Sequence, residues 1–283
     1  MFMINLNNGV QMPVLGFGVY QIDDPQQCED AVLAALRTGY RLIDTAAAYC
    51  NEEAVGRAIK KSGINRNELF ITTKLWVQDM GYESTLRAIS RSLERLQLDY
   101  LDLYLIHQPY SDVYGSWRAM EERYQQGVLR AIGVSNFSAA RLTDLNAFNH
   151  VAPALNQIEI NPFYQRKDFV TFMQNNKVQP QSWASFAEGR NNLFKHPALT
   201  EIAAKNGRSV AQIVLRWLVQ QNIVVIPKSV NPARMQENFS VFDFALDEDD
   251  MQRISEMDSG ESCFFSHDDP ERIRAIANVK FDI

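Results

Sequence analysis

Eight short apolar runs, amphipathic helical segments between them and polar residues at the run ends predict an α/β chain. The fold expected is a (β/α)8 TIM barrel with an N-terminal β-hairpin closing one end. The runs are VLGFGVY, RLIDTA, LFITTKLW, LDLYLIH, LRAIGVSN, ALNQIEI, QPQSWAS and IVVIPKS. They are apolar with little alternation, as parallel strands buried on both faces require.

The hairpin is read from MINLNNGVQMPV, where Asn8-Gly9 supplies a turn signal between two short apolar runs. The helices are read from their stripes: Leu86, Ile89, Leu93 and Leu96 recur at three- and four-residue steps, as do Val210, Ile213, Val214, Trp217 and Leu218. Asp44, Lys74, His107 and Asn136 close successive runs at intervals of 30, 33 and 29 residues, one strand-helix unit per step. The length, 283 residues, would hold two average domains, but one barrel needs roughly 250. No linker or low-complexity tract divides the sequence, so residues 1–283 are read as a single barrel domain.

Composition narrows the function classes. A formal charge of −6 gives neither nucleic acid nor an anionic membrane a basic surface to bind. Cys28, Cys50 and Cys263 are odd in number and lack CxxC spacing, which suits a reducing compartment. The start, MFMINLNNGVQMP, has neither the basic nor the long apolar stretch of an export signal. A cytoplasmic monomer acting on a small molecule is expected.

In a parallel barrel, reactive side chains sit where strands end at the C-terminal face. Asp44 follows RLI, Lys74 follows FITT, His107 follows DLYLI, and Tyr49 lies five residues beyond Asp44. Each has a plainer reading: a helix cap for Asp44, a solvated amine for Lys74, a satisfied core imidazole for His107, packing for Tyr49. Taken together they explain one another. A lysine ending a buried strand needs a carboxylate, and a nearby cation lowers a phenol's pKa from its reference of about 10.

DTAAAYCNEE, FITTKLW, LYLIHQP, IGVSNF, NQIEINP and IPKSVNPARMQEN, in that order over nearly the whole chain, strongly resemble the aldo-keto reductases. Within that family the sequence is most similar to bacterial reductases of 2,5-diketogluconate, methylglyoxal and other small carbonyls. The resemblance implies NADPH-dependent reduction of aldehydes and ketones, with Tyr49 as general acid in a tetrad with Asp44, Lys74 and His107. It also implies Ser135, Asn136 and Gln157 on the nicotinamide carboxamide and Trp183 beneath the ring. Lys228, Ser229 and Arg234 fall on the adenosine 2′-phosphate, and Glu237 and Asn238 on the adenine edge. Trp76 and Gln108 are expected to shape the substrate pocket.

Plainer readings stand beside these: backbone hydrogen bonds for Asn136 and Gln157, core packing for Trp183, a solvated helix face for Glu237 and Asn238. Two departures from the family pattern are visible. Gln108 replaces the aromatic residue that follows the histidine in many relatives, making the pocket more polar there. ASFAEG replaces a Ser-Pro-Leu-Gly type turn, leaving Ser185 to Glu188 an open question near the pyrophosphate. The terminal SCFFSHDDPERIRAIANVKFDI is read as too short for an extended apolar wall, so small polar aldehydes and dicarbonyls are expected over steroids.

Other chemistries find less support. GFGVYQ lacks the third glycine and the following helix of a dinucleotide fingerprint. Histidines 107, 150, 196 and 267 lack metal-ligand spacing, and no GxSxG elbow is present. The competing readings are a catalytically weak nicotinamide-binding regulatory barrel, whose expected sign is a damaged tetrad, and a metal-independent hydrolase or isomerase on the same fold.

Overall fold

A computed structural model describes residues 2–283. Strands β1 (Met3–Asn5) and β2 (Gln11–Pro13) pair antiparallel, and Gly9, at φ 82°, takes the left-handed turn position that Asn-Gly favours. Eight parallel strands follow: β3 (Phe17–Gly18), β4 (Leu42–Asp44), β5 (Phe70–Leu75), β6 (Leu103–Ile106), β7 (Ile132–Ser135), β8 (Leu155–Glu159), β9 (Gln179–Trp183) and β10 (Val224–Val225). They neighbour one another in chain order. The barrel closes through a parallel bridge from Leu15 to Val225 and through Gly16 N to Val225 O at 2.8 Å.

The closing seam explains the glycines of GFGVYQ. A Cβ on Gly16 would meet Leu42 Cγ at 2.3 Å, and one on Gly18 would meet the Ile226 carbonyl oxygen at 2.8 Å. Their role is close strand approach rather than a phosphate turn.

The helices are α1 (Pro25–Thr38), α2 (Glu52–Ser62), α3 (Tyr82–Leu96), α4 (Val113–Gln125), α5 (Ala139–Phe148), α6 (Lys167–Asn175), α7 (Pro197–Asn206), α8 (Val210–Gln220), α9 (Pro232–Phe239), α10 (Glu248–Ser255) and α11 (Pro270–Asn278). The stripe on α8 is buried as the sequence predicts. On α3 the buried line is Thr85, Ala88, Ile89, Ser92 and Leu96, with Leu86 and Leu93 only half-buried. Small residues let α3 lie close to its neighbours, which rotates the stripe away from the two leucines. None of the described helices is long and apolar enough to cross a membrane.

The two-residue period of each strand then sorts the side chains. Ile43, Ile71, Tyr104, Ile106 and Ile132 join the core between strands and helices. Leu42, Phe70, Leu103, Leu105, Leu155 and Val224 fill the barrel interior, and Leu6 and Met12 of the hairpin pack into that cluster from the N-terminal end. Asp44, Lys74, His107 and Gln157 continue those inward rows by even steps, so the alternation that buries leucines at one end delivers polar groups at the other.

Candidate active site

Lys74 is fully buried and its Nζ lies 2.5 Å from Asp44 Oδ1, 2.8 Å from the Thr45 carbonyl oxygen and 3.4 Å from the Tyr49 hydroxyl. The carboxylate a buried lysine demands is therefore Asp44, held on its other oxygen by Gln157 Nε2 at 2.9 Å. Tyr49 sits in the short helical turn Ala47–Tyr49 after β4, its ring 5.7 Å edge-on from His107 and 5.0 Å from Tyr20. Trp76 packs 5.2 Å from the other side of His107, with its indole nitrogen donating to the Val279 carbonyl at 3.1 Å.

Burial controls the electrostatics. It works against the Lys74 charge, but Asp44 and Tyr49 outweigh it and hold the ammonium protonated. It pushes Asp44 up against the pull of Lys74 and Gln157. Burial likewise raises the Tyr49 phenol, with Lys74 pulling it back and Asp44 adding to the rise. The sequence argument, in which the cation lowers the phenol, is thus corrected in its net sign: desolvation of the phenolate exceeds the attraction of one lysine. His107 is driven well below the ordinary histidine range, first by burial and then by Lys74 and His267, so its ring is neutral.

A cleft of about 650 Å³ opens over these groups, lined by Asp44, Tyr49, Trp76, His107, Gln108, Ser135, Asn136, Gln157 and Trp183 near the barrel axis and by Lys228 and Arg234 at its far end. Lys74 stands just behind it. Ser135 Oγ donates to the Gln157 carbonyl at 2.8 Å. The Asn136 amide is fully committed, donating to the His107 carbonyl at 3.1 Å and to Ser135 Oγ, and accepting from Trp183 Nε1 at 2.8 Å. Gln157 donates to Asp44 and to Gln181 while its own oxygen accepts from no described residue.

The remaining sequence candidates lie outside this lining. Ser229 Oγ accepts from the Asn231 backbone at 3.1 Å, Glu237 accepts from Ser209 Oγ, and Asn238 is buried in α9. Among the described residues Lys228 and Arg234 have no carboxylate partner and remain available. Asn231, which the sequence reading passed over, caps α9 by accepting from Ala233 N and Arg234 N; Asn followed by Pro at the first helical position was the available signal.

The open question at ASFAEG resolves into a tight, unusual turn. Ala184, Ala187 and Glu188 all have positive φ near 50°, and Ser185 Oγ bonds Ser182 Oγ at 2.7 Å. Glu188 reaches across the cleft edge to Gln21 Nε2 at 3.5 Å.

The tail also departs from expectation. Phe264, Phe265, Ile276 and Phe281 all line the cleft, so the short segment does build an apolar wall. It is anchored at several points: Ser262 Oγ donates to Glu159 at 2.5 Å, Tyr110 OH to the His267 carbonyl at 2.7 Å, and Gln78 exchanges two hydrogen bonds with the Phe281 backbone. Asp269 caps α11 and Pro270 opens it, a helix-start signal the sequence reading passed over, and the path that lays the helix over the barrel mouth depends on these distant partners.

The chain matches the model of the aldo/keto reductase family over residues 14–259. It is 46% identical to the glyoxal reductase of Bacillus subtilis over 259 residues, covering 91% of this chain and 93% of the relative. To the methylglyoxal reductase DkgA of Escherichia coli it is 43% identical over 260 residues, covering 91% and 94%. The crystal structure of a Bombyx mori aldo-keto reductase in complex with NADP superposes with a TM-score of 0.89 at 33% identity, covering 96% of each chain. With the acid-base cluster at the strand ends and this likeness over nearly its whole length, the chain belongs to the aldo/keto reductase family of oxidoreductases.

Proposed function

We propose that this chain is a cytoplasmic, monomeric NADPH-dependent reductase of small aldehydes and ketones, with Tyr49 as general acid. The observation that carries the reading is the Lys74–Tyr49–His107 arrangement opening into a cleft whose far end holds two unpaired cations. The names of the glyoxal and methylglyoxal reductases point to the same substrate class. Free Cys28, Cys50 and Cys263 suit a reducing compartment.

The residues present fit a nicotinamide dinucleotide phosphate. The cleft volume is that of a small-molecule site. Gln157 offers an amide oxygen without a donor, as a carboxamide would need. Asn136 can join it by exchanging its bond from Trp183, and the Trp183 indole lines the same stretch. Lys228 and Arg234 supply the charge for a phosphate monoester. The bound nicotinamide supplies the hydride for the carbonyl carbon.

This chain's residues handle the proton. Lys74 Nζ donates to the Tyr49 oxygen, which leaves the phenolic hydrogen free for the carbonyl oxygen. The raised phenol is protonated before reaction, and the ammonium beside it stabilises the phenolate left afterwards. Neutral His107 orients the carbonyl through a ring N–H, and Asp44 fixes Lys74. The test is NADPH oxidation with a panel of methylglyoxal, aromatic aldehydes and keto-sugars. Turnover with none of them, by a folded protein that binds NADPH, would favour the regulatory barrel instead.

A further inference from the structure

Gln108 lines the cleft beside Tyr49, Trp76 and His107, yet it is only 8% exposed and its Oε1 is buried with no hydrogen-bond partner. Its Nε2 donates to no described residue either. A buried amide oxygen without a donor is unfavourable, and in a native protein an ordered water, an ion or a ligand completes it; in a cleft the substrate can take that place. The neighbouring polar groups have other duties: the Trp76 indole nitrogen is held by the Val279 carbonyl, and Tyr49 and His107 face the carbonyl oxygen in the proposed reaction. The unpaired amide therefore belongs to the residue that follows the carbonyl-orienting histidine, on the wall of the same cleft.

We infer that Gln108 is a specificity-determining residue that reads a hydroxyl on the carbon adjacent to the substrate carbonyl, favouring 2-hydroxy aldehydes and ketones over their alkyl counterparts. A hydroxyl both donates and accepts, so it satisfies the amide whichever way the side chain is turned. An alkyl group of the same size fills the space and leaves the oxygen unpaired. This deepens the reductase reading and rests on it.

Hydroxyacetone and butan-2-one match in heavy-atom count and differ by one hydroxyl for methyl. The experiment compares kcat/KM for both in the unaltered enzyme, in Gln108→Leu and in the near-isosteric Gln108→Met. Taking the ratio of the two ketones and then comparing it between proteins cancels their intrinsic reactivities. A neutral hydrogen bond corresponds to about three- to tenfold, so the ratio of hydroxyacetone to butan-2-one kcat/KM falls by about that factor in both variants. An unchanged ratio, or equal loss on both ketones, overturns the inference.

A second measurement needs neither variants nor turnover. Tryptophan fluorescence of the unaltered protein reports binding of the corresponding alcohols, and propane-1,2-diol binds several-fold more tightly than butan-2-ol. Equal binding of the two alcohols also overturns the inference. Failure of the reductase reading is a separate result, recognised by inactivity toward every carbonyl in a protein whose two alcohols are still distinguished.

Discussion

Each end of the barrel buries a carboxylate, and the two are treated differently. At the N-terminal end Asp102, just before β6, accepts from Arg66 and Arg130 at 2.6 Å each and from Ile71 N at 2.9 Å. At the C-terminal end Asp44 has one cation, Lys74, which it shares with a phenol, and one amide, Gln157. Around Asp102 the valences are filled, and the hairpin plugs the barrel close by with Leu6 and Met12. In the cleft over Asp44 they are left open: among the described residues His107 Nδ1 and Gln108 Oε1 are buried without partners, and Lys228 and Arg234 at the far end have no carboxylate partner. The same strand scaffold thus closes its buried polar groups on one another at one end and leaves them open to a cleft at the other.

The sharpest way to break that contrast is Tyr49→Phe. It should lower turnover by roughly 10²–10⁴-fold while NADPH affinity and thermal stability stay near those of the parent, because it removes a proton donor and no packing. Near-normal turnover in steady-state assays would remove Tyr49 from the chemistry.

Asp102→Ala should show the opposite profile. Losing one member of a buried cluster costs about 3–5 kcal/mol in general, and about 2–4 here because Arg66 and Arg130 both reach solvent. Denaturant titration reads that loss, and kcat/KM of the protein that remains folded should be unchanged. A catalytic defect without a stability defect would erase the distinction between the ends.

Arg234→Ala should weaken NADPH by roughly tenfold to a hundredfold through loss of a charge-assisted contact, and leave NADH nearly unchanged. Fluorescence titration with both cofactors decides it. Equal weakening would make Arg234 a structural residue.

The smallest effect concerns pH. Reduction by a phenol acid declines as pH rises through that group's pKa, and Lys74 is the group pulling this pKa down. Lys74→Met should therefore move the declining limb of the kcat profile upward, in whatever activity survives the loss of Asp44's partner. An unmoved limb would uncouple the two residues.

Much of the fold was legible. All eight runs became strands, seven on their own β-rich composition and turn boundaries and QPQSWAS through its pairing with β8 and β10, and the N-terminal hairpin formed where Asn8-Gly9 placed it. The convergence of Asp44, Lys74 and His107 was legible for a related reason. Each ends a strand at even spacing from an inward leucine, threonine or leucine, so local periodicity fixes the face on which it points.

What the sequence alone determined, then, is whatever depends on short-range pattern: the strands, the α8 stripe, the inward row of polar ends. Tertiary structure decided the rest. The net sign of the Tyr49 shift balances desolvation against one cation, and the extent of burial is set by the whole cleft. The wall made by Phe264, Phe265, Ile276 and Phe281 depends on Glu159, Tyr110 and Gln78, more than a hundred residues away, catching the tail. That Gln108 lacks a partner is a property of everything around it, which no local pattern encodes.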